Sequence, residues 1–253
     1  PECLGNYTES FFNSNIKIKK NDIFTFGCSA SLVEHKNHIL LLKAFINKYK
    51  NNQNVKLKLH IKIVADRILL DDINNLIKQE NATNVELVIG CLNDKEYLEF
   101  MKSLDCYVLV SKGEGFSFSP REALALGIPC ILSNNSAHKE LCETPYVIPV
   151  KSEIREIAKY IPTLSNYGEV FNCEVNDVEQ ALEYVYNNYD YCLEKAHQGR
   201  IWVAQYKYKN LENKYLNLIK PEKIILGNDN IITDNYIMTN SKELYRKYLT
   251  INS

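Results

Sequence analysis

"DCYVLVSKGEGFSFSPREALALGIPCILS", residues 105 to 133, reads as a strand, a turn, a helix and a second strand. Residues 105–110 form an apolar, β-favouring run, and Gly113 and Gly115 punctuate its end. "PREALALG" favours a helix starting near Pro120, because proline's missing N–H has no intrahelical partner in a first turn. "IPCILS" is apolar again and too short for a helix. Two strands joined through a helix run parallel in one sheet, and ligands of such sheets sit beyond the carboxyl ends of the strands. The turn at 111–122 is such a loop, with Glu114 before the helix and Glu122 expected about two residues inside it.

Upstream the alternation repeats. Strands are expected at 22–29, 57–65 and 84–90, helices at 36–50 and 69–79, and a third helix after Asn93, where Glu96 completes a capping-box spacing. Five strands alternating with helices predict an α/β, Rossmann-like parallel sheet with helices on both faces. No strand is assigned after residue 133. From 176 onward the pattern is helical, with Asn176 or Asp177 as cap, and Tyr184, Tyr191, Trp202, Tyr206, Tyr208 and Tyr215 read as a packing face. Residues 1–22 read as a polar lead-in or interdomain linker, 23–220 as the domain, and 221–253 as a C-terminal extension with a short helix at 241–249.

Composition narrows the function. Thirty basic against thirty-one acidic residues give a net charge of -1, without the basic footprint of a nucleic-acid binder. The eight cysteines form no CxxC pairs and the five histidines no ligand spacing, so the reading is reduced thiols in a cytoplasmic protein and no metal site. No apolar run approaches the ~18 residues that span a bilayer. Neither a dinucleotide-binding G-x-G-x-x-G nor a P-loop G-x-x-x-x-G-K-[ST] follows the first strand. The chain opens on Pro1 rather than Met, which suggests a processed product or an excised piece of a longer protein.

Two carboxylates flanking a helix N-terminus could accept hydrogen bonds from the hydroxyls of a sugar or ribose, while the free N–H groups bind an anion. On the spacing alone the preferred reading is the plainer one, with Glu114 a solvated loop acid and Glu122 a helix acid favoured by the dipole; the surrounding residues shift the balance. "EGFSFSPREALALGIPCILSN" resembles the E-G-F-x-x-x-x-x-E-A-x-A-x-G-x-P signature of glycosyltransferase family 4, with Glu114, Gly115, Phe116, Glu122, Ala123, Ala125, Gly127 and Pro129 in place. "ASLVEHKNHILLLKAF", residues 30 to 45, resembles that family's phosphate-binding segment, and the likeness extends over residues 23–218.

The resemblance implies a retaining, metal-independent, nucleotide-sugar-dependent transferase of the GT-B fold, with no cofactor. Glu114 would hold the donor sugar and Lys36 would stabilise the leaving diphosphate, the two as catalytic residues. Backbone N–H groups of Gly115, Phe116 and Ser117 would contact sugar or phosphate, Glu122 the ribose, and backbone near Leu92 the base. Ser31 stands where the family often carries an arginine. Lys112 and Arg121 are expected to be solvated, and His138 either faces the crevice, caps a helix or is exposed. GT-B enzymes have two Rossmann-like halves, and this chain resembles the C-terminal donor-binding half followed by a helical tail. Its expected partners are a nucleotide sugar, an N-terminal acceptor-binding domain absent from this chain, and an acceptor at a membrane surface that the protein meets through that domain. A non-catalytic nucleotide-sugar-binding subunit and a GT-B sugar epimerase are the competing readings.

Overall fold

Strand β1, Phe24–Leu32, is buried at eight of its nine positions, which requires cover on both faces. In this computed structural model, describing residues 9–160 and 165–219, β1 lies inside a six-stranded parallel sheet ordered β3-β2-β1-β4-β5-β6 with helices on both faces. The strands are β2 (Val55–Val64), β3 (Val85–Ile89), β4 (Cys106–Leu109), β5 (Cys130–Ser133) and β6 (Ile148–Val150). The helices between them are α2 (His38–Tyr49), α3 (Arg67–Gln79), α4 (Asp94–Lys102), α5 (Phe118–Ala125) and α6 (His138–Cys142), after a short α1 (Glu9–Asn13). Successive strands step outward from β1 to β3, then return to β4 on the other side of β1 and step outward again. The loops leaving β1 and β4 therefore diverge and open a crevice at the carboxyl edge.

The capping box on α4 forms as its sequence predicts, with Asn93 and Glu96 bonded to each other's backbone N–H. Aromatic packing closes one side of the sheet, where Phe24 and Phe26 on β1 meet Phe45, Tyr49, Tyr186 and Tyr189. Residues 9–22 pack on the domain: Phe11 is buried, Lys17 N–H donates to Leu126 O at 2.9 Å, and Lys17 Nζ pairs with Asp105 at 2.9 Å. Asp105 also accepts from the backbone N–H groups of Asn21 and Thr25, both at 2.8 Å.

Three features depart from the sequence reading. A sixth strand, β6, continues the sheet, and an antiparallel hairpin of β7 (Ile154–Tyr160) and β8 (Ser165–Asn172) stands apart as a second sheet. β6 is three residues long and contains Pro149, tolerable on an edge, while β7 carries Arg155, Glu156 and Lys159 and β8 mixes Asn166, Gly168, Glu169 and Asn172 among its apolar residues, so neither element has an apolar signature. Helix α5 begins at Phe118 rather than near Pro120, because Ser117 turns the chain through the left-handed region. Helices α7 (Val175–Asn187), α8 (Tyr189–Val203) and α9 (Tyr208–Ile219) form the helical end, but the N-cap of α7 is Glu174, and Asn176 and Asp177, expected as caps, lie inside its first turn. The aromatic face is only partly packing: Tyr206 is buried and Trp202 half-buried, but Tyr184, Tyr191 and Tyr208 are exposed.

Residues to Leu211 form one compact unit, and Glu212–Ser253 group separately, of which only the end of α9 is described. The extension expected over 221–253 lies outside the described residues. The seven described cysteines are free thiols, mostly buried. Among the described residues no helix is long and apolar enough to cross a membrane.

Replacing Asp105 by alanine leaves a buried-edge ammonium and two backbone N–H groups without their acceptor, and is expected to cost about 3–5 kcal/mol in urea unfolding. A loss below about 1 kcal/mol would contradict the anchoring role. His38 and His138 are both buried, and burial pushes each down to about 4 from 6.5. The unfolded chain then binds more protons between pH 6.5 and 4, so stability complete above pH 6.5 is lost as pH falls toward 4, by about 3 kcal/mol per histidine. Urea midpoints should fall less steeply over this window in His138→Gln than in the unaltered chain; parallel curves would refute the assignment.

Candidate active site

Lys36 and Glu114 meet across the crevice between β1 and β4. Lys36 lies in a 3-10 turn, Glu34–Lys36, rather than on α2 as the sequence suggests, because Asn37 adopts a left-handed conformation and α2 begins at His38. Its ammonium sits 2.7 and 2.8 Å from the two Glu114 carboxylate oxygens. The Glu114 side chain is only 7% exposed, so the pair is partly desolvated. Glu114 N–H donates to Ser136 Oγ at 2.8 Å, tying this turn to the loop after β5.

A cavity of about 330 Å³ opens on the pair. Of the residues the sequence nominates, it brings together Ser31, Lys36, Glu114, Phe116 and Ser117; Gly115, Glu122 and Leu92 lie outside its lining. Glu122 stands in the second turn of α5, not two residues inside it, and is buried. Its Oε2 accepts from the Tyr97 hydroxyl at 2.7 Å, which fixes the carboxylate. Near Leu92, Gly90 takes φ 117°, a conformation natural to glycine, and its carbonyl accepts from His60 Nε2 at 2.9 Å.

Lys112 and Arg121, read from sequence as solvated, are both buried. Lys112 pairs with Glu34 on the turn after β1 and with Glu156 on the hairpin, 2.5 Å away. Burial alone would lower the Lys112 ammonium, but the two carboxylates outweigh it and hold it above the usual lysine value. The fully buried Arg121 donates to the carbonyls of Phe116 and Ser117 and to Glu140, and its guanidinium stacks 4.0 Å from the Phe116 ring centroid. It is a strut for the turn. His138 is buried, with Nε2 2.8 Å from Ser117 Oγ.

Sequence reasoning missed Lys62, a second cation lining the cavity, and Tyr97, the partner of Glu122. Lys62 reads as one polar position of an alternating strand, and Tyr97 as a helix-face aromatic 25 positions from the acid it holds. Among the described residues no group of histidines, cysteines or carboxylates could hold a metal ion.

This geometry has relatives. The family described as glycosyl transferases group 1 matches residues 8–169. The O-antigen biosynthesis glycosyltransferase WclY of Escherichia coli is 25% identical over 198 residues, 74% of this chain and 52% of WclY. The chain thus spans about half the length of that relative. The solved structure of Anabaena Alr3699/HepE in complex with UDP and glucose superposes at a TM-score of 0.64 with 14% identity, over 79% of this chain and 49% of that one. The C-terminal domain of LpcC, a glycosyl transferase group 1 protein of Francisella tularensis, superposes at 0.56 with 16% identity, over 85% of this chain and 95% of that domain. These likenesses show the fold, and the match over residues 8–169 shows the family: the chain belongs to the glycosyl transferases group 1.

Proposed function

We propose that this chain is the C-terminal, nucleotide-sugar-binding half of a retaining glycosyltransferase of family 4, transferring sugar from a nucleotide-sugar donor to an acceptor. The observation that carries the reading is the meeting of Lys36 and Glu114 at the point where the strand order reverses. In this reading residues 23–220 are the donor domain, residues 1–22 lead in from an acceptor-binding half, and the acceptor, at a membrane surface, belongs to that half. Two findings support the division: the chain covers about half of WclY but nearly all of an isolated C-terminal domain.

Cleavage of the donor leaves negative charge on the diphosphate, and fixed cations in a partly dry site stabilise it. Lys36 and Lys62 line one cavity and supply that charge, so the reading requires no metal or cofactor, and Lys62 offsets the arginine that Ser31 does not replace. The diphosphate takes over Lys36, which frees the Glu114 carboxylate to accept from sugar hydroxyls. Backbone N–H groups of Gly115, Phe116 and Ser117 complete the sugar and phosphate contacts. Glu122, held by Tyr97, accepts from the ribose hydroxyls, and backbone around Leu92 meets the base. A uridine nucleotide is the first donor to try, because structural relatives were solved with UDP and with UDP-glucose.

A thermal-shift panel of UDP, GDP, ADP, CMP and their sugars tests the reading. A ligand at 100 times its dissociation constant adds about 2.7 kcal/mol, a rise of roughly 5–10 °C. Glu122→Gln should weaken bare nucleotide and nucleotide sugar alike, whereas Glu114→Gln should mainly erase the preference for the sugar-bearing ligand. Equal losses of both ligands in both variants would refute this division of roles.

A further inference from the structure

Ser117 holds a side chain where glycine would sit more easily, at φ 63° and ψ 80°. Its hydroxyl has a defined polarity, which follows from the far end of a buried chain of hydrogen bonds. Ser133 Oγ lies 2.6 Å from the Ser111 carbonyl oxygen, which can only accept, so the Ser133 proton points there. Ser133 Oγ, 3.2 Å from His138 Nδ1, is thereby left to accept from that nitrogen. Burial lowers the His138 pKa to about 4, so at neutral pH the ring carries a single proton, and it is on Nδ1. Nε2 presents a lone pair, and the Ser117 hydroxyl at 2.8 Å donates to it.

A hydroxyl has one proton. Ser117 and Glu114 both line the cavity, and with the Ser117 proton directed at His138 Nε2 a ligand that reaches its Oγ finds only an acceptor, as it does at the Glu114 carboxylate. This wall is matched by a ligand that offers hydroxyl protons. We infer that Ser117 selects a donor sugar carrying a free hydroxyl at the position facing it, and that His138 is the positioning residue that makes Ser117 an acceptor. The inference rests on the donor-site reading and deepens it: a deoxy or substituted sugar at that position leaves Ser117 without a donor, and a fluorine cannot supply one.

Calorimetric binding of UDP, UDP-glucose and its 2-, 3-, 4- and 6-deoxyfluoro analogues tests it, each analogue scored as its affinity ratio to UDP-glucose within the same protein. In Ser117→Ala the penalty for fluorine should shrink by about 3- to 10-fold at one position, and in His138→Ala, where the Ser117 proton is released to turn toward fluorine, at the same position. Using ratios within one protein removes any general loss of stability or affinity, and Ser117→Ala keeps the test sound should His138→Ala fold poorly. If UDP-glucose binds and Ser117→Ala leaves every ratio unchanged, this inference alone is overturned. If neither UDP nor UDP-glucose binds, the donor-site reading fails for uridine nucleotides, and this inference with it.

Discussion

The reversal of strand order between β1 and β4 is the constraint on which the rest depends. Right-handed crossovers that step outward in both directions from the middle of a parallel sheet leave two adjacent loops with no helix between them. Lys36 lies on one of these loops and Glu114 on the other, and their 2.7 Å contact spans the crevice. A partly buried ion pair of this kind is held together by mutual need, since either group alone would be left desolvated without a partner. A ligand that brings an anionic group and a row of hydroxyls would offer each group a replacement.

Around that pair the turn is made stiff by two buried cations, Arg121 and Lys112. Arg121 reaches back from α5 to the carbonyls of Phe116 and Ser117, is anchored by Glu140, and stacks on Phe116. Lys112 joins the turn after β1 to the β7–β8 hairpin, and its N–H donates to the His35 carbonyl at 2.8 Å. Asn135 adds a donor to the Ser111 carbonyl from the loop after β5. The loops at the carboxyl edge thus share one hydrogen-bonded frame, and the cavity they line inherits its shape from that frame.

The middle of the sheet was legible because β1, β4 and β5 are buried on both faces, and β2 because its apolar and polar positions alternate. β6 was not, since three residues with a proline carry no period, and the hairpin was not, since Arg155, Glu156 and Lys159 mask its alternation. Glu114, Lys36 and Ser117 were legible through a spacing whose meaning came from resemblance, not from physics alone. The burial of Lys112 and Arg121 was hidden because charged side chains are buried only when paired, and their partners Glu156 and Glu140 lie 44 and 19 positions away. His138 was ambiguous for a similar reason: its serine partners are assembled by the fold, not by neighbouring sequence.

The most direct measurement is a crystal structure of this chain with UDP-glucose bound. In that complex Lys36 Nζ should leave Glu114 and lie about 3 Å from a diphosphate oxygen, with the freed carboxylate on sugar hydroxyls. A nucleotide sugar bound with the Lys36–Glu114 pair intact and its diphosphate held elsewhere would contradict the account.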